Sequence, residues 1–155
     1  MLIGPSKALD IALRRAGEEV ARRGDRRVGT DHLLLGLLHD QEVAEALGVD
    51  VERARAVARD LDQAALAAIG VDLGDDLPSA PTRVRVGHIP LTSAARAAIG
   101  RSGAVADAER VRRIEPRHLL AALREGEEPN PAAVFLAALG VARGGSGTGR
   151  GPQRP

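Results

Sequence analysis

The spacing of apolar residues along the chain predicts a series of short amphipathic helices. From Leu9 to Val20 apolar side chains recur every three or four residues with charged residues between them, and Ser6 is suited to cap this first helix. Three further helices follow, beginning near residues 30, 42 and 51. Thr30 is the predicted cap of the second helix. The inward face of the fourth is predicted to consist of Val51, Ala54, Ala58, Leu61 and Ala65.

The pattern of the first two helices returns in the second half of the chain. Residues 29–40 read Gly-Thr-Asp-His-Leu-Leu-Leu-Gly-Leu-Leu-His-Asp, and residues 115–126 read Glu-Pro-Arg-His-Leu-Leu-Ala-Ala-Leu-Arg-Glu-Gly. In the register that aligns these segments, identical residues also meet before them, at 8, 12, 15, 17, 26 and 27 against 94, 98, 101, 103, 112 and 113. Such self-similarity marks a duplicated unit whose copies pack on each other. We therefore predict an all-α fold of two pseudo-twofold repeats, each of about four short helices.

Breaks in the helical pattern predict the boundaries of the repeats. The first repeat spans residues 3–70, and a linker with three prolines and an acidic cluster spans 71–90. The second repeat spans 91–142, opening with Thr92 as a helix cap. A glycine-rich tail at 143–155 is predicted to be disordered. The second repeat is therefore expected to lack a match for the fourth helix of the first.

Composition removes several classes of function. The chain has no cysteine, so it has neither a disulfide nor a zinc-thiolate site. No apolar run approaches the roughly 20 residues that span a bilayer, and we expect a cytoplasmic protein that does not contact membranes. The 22 basic and 21 acidic residues give a net charge of +1, so no overall field attracts nucleic acid. We expect no cofactor and no metal.

Three segments together resemble the Clp N-terminal domain, also called the Clp repeat domain, of ClpC/ClpA-type AAA+ unfoldases. They are the Gly-Thr-Asp-His-Leu-Leu-Leu-Gly-Leu-Leu run, the Ala-Leu-Gly-Val-Asp after it, and Gly-His-Ile-Pro-Leu-Thr at 87–92. The resemblance covers residues 3–142. It implies a non-catalytic module that binds adaptors and substrates for an ATPase ring. The run from Gly144 to Gly149 is rich in glycine, but no Gly-Lys-Ser/Thr follows it to form a P-loop. We therefore expect a stand-alone modulator or decoy of Clp proteolysis, whose partners are Clp unfoldase components, adaptors or substrate proteins, including arginine-phosphorylated ones.

The same resemblance implies candidate ligand-binding residues. In some ClpC-type domains the acid of this motif holds the guanidinium of phosphoarginine, and a hydroxyl residue opening the first helix lies near the phosphate. By motif, the first site pairs Asp31 with Ser6, and the second pairs Thr92 with Arg117, where a cation replaces the acid. A cation does not hold a guanidinium, so the second site is expected to be lost. The plainer explanation, which we favour, is that Ser6, Thr30, Asp31 and Thr92 are helix-capping residues.

Arginines cluster before the second helix of each repeat. Arg26 and Arg27 in the first copy align with Arg112 and Arg113 in the second. Such patches can bind phosphorylated or acidic partners through bidentate contacts, although a solvated loop explains them as well. They also leave open an alternative function, a small helical nucleic-acid-binding regulator. The near-neutral charge and the scarcity of aromatic residues for base stacking argue against that alternative.

One histidine occupies the same position in each repeat, at His32 and His118. Catalysis would require a nucleophile or an orienting acid that recurs beside it, and the sequence shows none at a matching position. We therefore predict buried histidines that are hydrogen-bonded to nearby backbone.

Overall fold

The computed structural model describes residues 4–70, 89–126 and 130–140, and within them the chain is mostly helical. The predicted all-α class is confirmed, with two-residue strands as its only addition in these ranges. Residues 71–88 of the predicted linker at 71–90, the tail at 143–155 and the expected absence of a fourth helix in the second repeat lie outside the described residues. The elements are β1 (Gly4–Pro5), α1 (Lys7–Arg23), α2 (Thr30–Leu37), α3 (Gln41–Leu47), α4 (Val51–Ala68), α5 (Ser93–Ala108), β2 (Arg113–Ile114), α6 (Pro116–Arg124) and α7 (Pro131–Ala138).

Side-chain caps fix the beginnings of the helices. The Oγ of Ser6 accepts the backbone N–H of Leu9 at 3.1 Å, and the Oγ of Thr92 accepts that of Ala95 at the same distance. Each bond satisfies a donor that the first helical turn leaves free. The capping role of these two hydroxyl residues is therefore confirmed. Thr30 departs from its predicted role, because Gly29 is the capping position of α2 and Thr30 is the first helical residue.

Small residues let the first two helices of each repeat pack closely. At Gly36 of α2 a Cβ atom would lie 2.7 Å from the backbone nitrogen of Ala16 in α1, so only glycine fits at this contact. The corresponding residue of the second repeat is Ala122, which is fully buried. The hydrophobic core continues from one repeat into the other. It includes Leu33, Leu34 and Leu37 of α2, Leu119 and Leu123 of α6, and Phe135 of α7.

The two repeats exchange backbone segments in a reciprocal way. The β1 strand, before α1, pairs in parallel with β2, before α6, and the Ser6 N–H donates to the Ile114 carbonyl at 2.9 Å. In the symmetric position Val28, before α2, bridges to Leu91, before α5, and the Thr92 N–H donates to the Val28 carbonyl at 3.0 Å. The beginning of each first helix is therefore fixed against the second helix of the other repeat.

Two positions differ from the predicted pattern of burial. Glu19, one of the charged residues between the apolar positions of α1 and therefore expected in solvent, is buried, because Arg55 of α4 reaches over it with nitrogen–oxygen distances of 2.6 to 3.3 Å. His39 also lies 3.2 Å from the same carboxylate. Ala65, predicted on the inward face of α4, is exposed, because the last turns of that helix extend past the core.

Candidate functional site

An open pocket lies where the two repeats meet, and we call it the inter-repeat pocket. It has a volume of about 530 Å³, and both repeats contribute to its wall. The first repeat supplies the end of α1, the loop that follows and the start of α2. The second supplies the starts of α5 and α7. The lining residues are Arg23, Asp25, Arg26, Arg27, Gly29, Thr30, Asp31, His32, Thr92, Ala94 and Pro131.

This geometry changes the predicted pairing of candidate residues. Asp31 shares the inter-repeat pocket with Thr92, whereas Ser6, the partner that the motif suggested, does not line it. Ser6 is buried beside Ile114, on the side of the second repeat. The predicted pairing of Asp31 with Ser6 is therefore wrong, because the exchanged backbone segments place the opening of each first helix beside the other repeat. Sequence order alone does not reveal such an exchange.

Arg23 binds three carboxylates from three parts of the fold. Its Nη1 donates to Asp31 at 2.8 Å, and its Nη2 donates to both oxygens of Asp62 in α4, at 3.0 and 2.8 Å. Its Nε lies 3.5 Å from a carboxylate oxygen of Asp25. Burial alone would lower the pKa of Arg23, but the hydrogen bond and charge of Asp31, with the charges of Asp62 and Asp25, raise it. This guanidinium therefore stays charged, and the Asp31 carboxylate is already engaged by a cation of the same chain.

The remaining candidate arginines differ in their surroundings. Arg26 and Arg27 are exposed at the inter-repeat pocket, and neither forms a hydrogen bond or an ion pair with any described residue. Arg113 in β2 donates to the carbonyl of Pro5 at 3.4 Å. Arg117 forms an ion pair with Glu109 at 2.6 Å. Arg112 is exposed. Of these five arginines, only Arg26 and Arg27 line the inter-repeat pocket.

The two histidines at the repeated position are buried and cap the backbone, which confirms the prediction made for them. The Nδ1 atom of His32 accepts the Gly29 N–H at 2.9 Å, and that of His118 accepts the Glu115 N–H at 2.8 Å. Because Nδ1 accepts, the neutral ring carries its proton on Nε2. That atom of His32 donates to Asp25 at 2.7 Å.

An acid therefore accompanies each histidine, so the expectation that none recurs is wrong. His118 contacts Glu109 through Nε2 at 3.0 Å, as His32 contacts Asp25. The two acids lie at different distances from their histidines along the chain, so the aligned repeats did not reveal them. The hydrogen bond from His32 lowers the pKa of Asp25, and the charge of Arg23 adds to this effect. Hydrogen bonds from His118 and then Arg117 lower the pKa of Glu109. Each acid therefore orients the histidine that caps the start of the second helix of its repeat.

Thr30 joins the two repeats. Its hydroxyl donates to the side-chain oxygen of Asn130 at 2.6 Å and accepts the N–H of Ala132 at 3.1 Å. The threonine is fully buried. The start of α7 is thus fixed to the start of α2, and Thr30 also lines the inter-repeat pocket.

A smaller cavity adjoins the inter-repeat pocket on the α4 side. Its volume is about 240 Å³, and Arg23, Asp31 and Pro131 belong to both cavities. The other walls are mainly apolar, with Leu61 of α4 and Val134 of α7 among them.

Within the described residues there is no cluster of three or more histidine, cysteine or acidic side chains arranged to hold a metal. Nor does any helix in those ranges have the length and apolarity that a membrane span requires.

The comparisons with known proteins give a likeness in structure. No protein-family model matches the sequence, and no curated protein matches it. A similar solved structure is the N-terminal domain of the caseinolytic protease associated chaperone ClpD from Arabidopsis thaliana. The two superpose with a TM-score of 0.68, over 90% of this chain and 86% of that one, at 19% sequence identity. The recognition made from the repeated motif is therefore confirmed at the level of the fold: this chain has the fold of a Clp N-terminal domain.

Proposed function

We propose that this chain is a non-catalytic protein-binding module that recognises components, adaptors or substrates of a Clp unfoldase. The observation that carries the proposal is the Clp N-terminal fold across 90% of the chain. The inter-repeat pocket supports it, because residues of both repeats meet there around an open space. Of the polar side chains in that wall, Arg23, Asp25, Asp31 and His32 hold one another in place, and His32 also holds the backbone of Gly29. A binding surface needs such rigidity, because a preordered surface loses less conformational entropy on association.

The proposed contacts are Asp31, Thr92, Arg26 and Arg27. They line the inter-repeat pocket and include two exposed arginines without partners among the described residues. The pseudo-symmetric candidates Ser6, Arg112, Arg113 and Arg117 do not line that pocket, and we assign them no contact.

Affinity enrichment from the source cells, followed by mass spectrometry, tests the proposal. The intact, tagged chain is expected to enrich a Clp unfoldase, its protease or one of their adaptors over a tag-only control. Enrichment of none of these proteins would contradict the proposal. A salt titration with duplex DNA addresses the nucleic-acid alternative, since phosphate contacts make affinity fall steeply with salt. Tight, salt-dependent DNA binding would favour that alternative instead.

A degradation assay then distinguishes the two roles proposed for the module. The chain is added in excess to a reconstituted Clp protease that degrades a labelled substrate. A decoy lowers the rate by binding substrates or adaptors that the unfoldase needs, whereas a modulator that delivers substrates raises it. An unchanged rate at saturating concentration would contradict both roles.

A further inference from the structure

We infer that Arg23 gives the inter-repeat pocket a preference for acidic peptide segments over arginine-containing ones. This inference rests on the proposed protein-binding function and names the chemistry of the ligand. It starts from the Asp31 carboxylate. That group would be the natural partner of an incoming guanidinium, but Arg23 already binds it at 2.8 Å. The side chains of both residues are largely buried, with 20% and 22% of their surface exposed.

Asp62 holds Arg23 in this position. Both oxygens of Asp62 accept from Nη2 of Arg23, so the guanidinium bridges α4 and the start of α2. Arg23 binds one oxygen of Asp31, so an arginine from a ligand that pairs with both oxygens would have to displace Arg23 and leave it beside Asp62 with one partner fewer. A partly buried charge that loses a partner is costly. Because Arg23 belongs to the same chain as Asp31, it is always close by and competes with any guanidinium ligand that arrives from solution.

Among the described residues, the charges that remain unpaired at the inter-repeat pocket are positive. Its wall contains the arginines at 23, 26 and 27 and the aspartates at 25 and 31, so cations outnumber anions. Asp25 is engaged by His32, and Asp31 by Arg23. Arg26 and Arg27 have no partner among the described residues. A guanidinium binds a carboxylate through two parallel N–H bonds. The fitting ligand is thus an oxyanion, and we assign it to glutamate or aspartate side chains of a partner protein.

Fluorescence anisotropy with labelled peptides tests this preference directly. The probes are a short glutamate-rich peptide, the same peptide with glutamines, and the same peptide with arginines. The glutamate peptide is expected to bind the intact chain, and its affinity is expected to fall as salt screens the contact. Equal or tighter binding of the arginine peptide would overturn the inference. So would equal binding of the glutamine peptide. No Clp component is present, so this assay can fail or succeed independently of the enrichment experiment.

The pseudo-symmetry of the chain supplies a matched control. The double variant Arg26→Gln, Arg27→Gln is expected to weaken glutamate-peptide binding about tenfold. The aligned pair Arg112→Gln, Arg113→Gln removes the same charge outside the pocket and is expected to change affinity less than about twofold. All four positions are exposed, so neither variant alters the core. Equal losses in both variants would show a general charge effect and overturn the assignment to the pocket.

Two further variants test the role of Arg23 itself. Arg23→Gln frees Asp31, so the arginine peptide is expected to gain measurable affinity in a variant whose helical circular dichroism is retained. Asp62→Asn, at a half-exposed position, weakens the hold on Arg23 and is expected to give a smaller gain of the same sign. No gain in either folded variant would contradict the competition. A phosphoarginine peptide adds a last arm, because loss of its binding on Asp31→Ala would show that Asp31 holds a ligand guanidinium in the native chain.

Discussion

Replacing Arg110 by glycine is expected to stabilise the protein. Arg110 follows α5 with a backbone φ of 59°, the only left-handed non-glycine residue among those described. It aligns with Gly24, which follows α1 with φ of 71°. The same hydrogen bonds close both helices, as the Val111 N–H donates to Ala106 at 3.2 Å and the Asp25 N–H to Val20 at 3.0 Å. The second repeat thus ends its first helix in a conformation that suits glycine but contains arginine.

The size of the effect follows from two opposing terms. A left-handed conformation costs a residue with a Cβ atom roughly 1–2 kcal/mol, whereas glycine loses roughly 0.5–1 kcal/mol more backbone entropy on folding. The net gain for Arg110→Gly is therefore about 0.5–1 kcal/mol, or about 2 °C in the midpoint of thermal unfolding for a chain of this size. Urea denaturation followed by circular dichroism measures it.

Two controls separate backbone strain from charge. Arg110→Ala removes the exposed guanidinium but keeps the Cβ atom, so its stability is expected to stay within about 0.5 kcal/mol of the native protein. Gly24→Ala places a Cβ atom at the relaxed position of the first repeat and is expected to cost about 1 kcal/mol. If Arg110→Ala stabilised the protein as much as Arg110→Gly, the strain explanation would be refuted.

Three other predictions concern the close helix contact, the buried ion pair and acid stability. Gly36→Ala forces a Cβ atom into the backbone of α1 and should destabilise the fold by about 1–3 kcal/mol. Its control is Gly100→Ala, a helical position with open space around it, which should instead stabilise the fold by up to about 1 kcal/mol. Similar effects of both changes in urea denaturation would contradict the packing argument. Glu19→Gln leaves Arg55 without its buried carboxylate and should lower the free energy of unfolding by about 2–3 kcal/mol in the same assay. A decrease below about 0.5 kcal/mol would mean that the ion pair contributes little net stability. The pKa of Asp25 is lowered in the folded state, so the stability that its carboxylate contributes is present above the unfolded pKa and is lost as pH falls below about 4. The difference in unfolding free energy between the native chain and Asp25→Asn should therefore shrink over that range. A constant difference would argue against a lowered pKa.

The sequence predicted what depends on local periodicity. Apolar residues at helical spacing identified the face of α1, and the capping residues Ser6 and Thr92 marked where helices begin. These signals are local, because they arise from the turn of a single helix and the first N–H groups it leaves free. The duplicated segment supplied the one long-range inference, that two similar halves pack together, and with it the fold.

The features that escaped prediction depend on contacts between distant segments. The exchanged strands are two residues long, too short to show an alternating pattern. Arg23 meets Asp62 across 39 positions of sequence, and nothing in the spacing of either residue indicates the other. Glu19 lies at the edge of the apolar face of α1 and becomes buried only because Arg55 of α4 covers it. Charged residues carry no periodic signal of their partners, so the content of the inter-repeat pocket had to come from the structure.

Quantitative affinity enrichment with three forms of the intact chain tests the central claim most directly. The forms are the native chain, the pocket variant Arg26→Gln, Arg27→Gln, and the aligned variant Arg112→Gln, Arg113→Gln. The account predicts that the native chain and the aligned variant enrich the same Clp component, and that the pocket variant loses most of it. Enrichment of no Clp component, or equal enrichment by all three forms, would contradict the account.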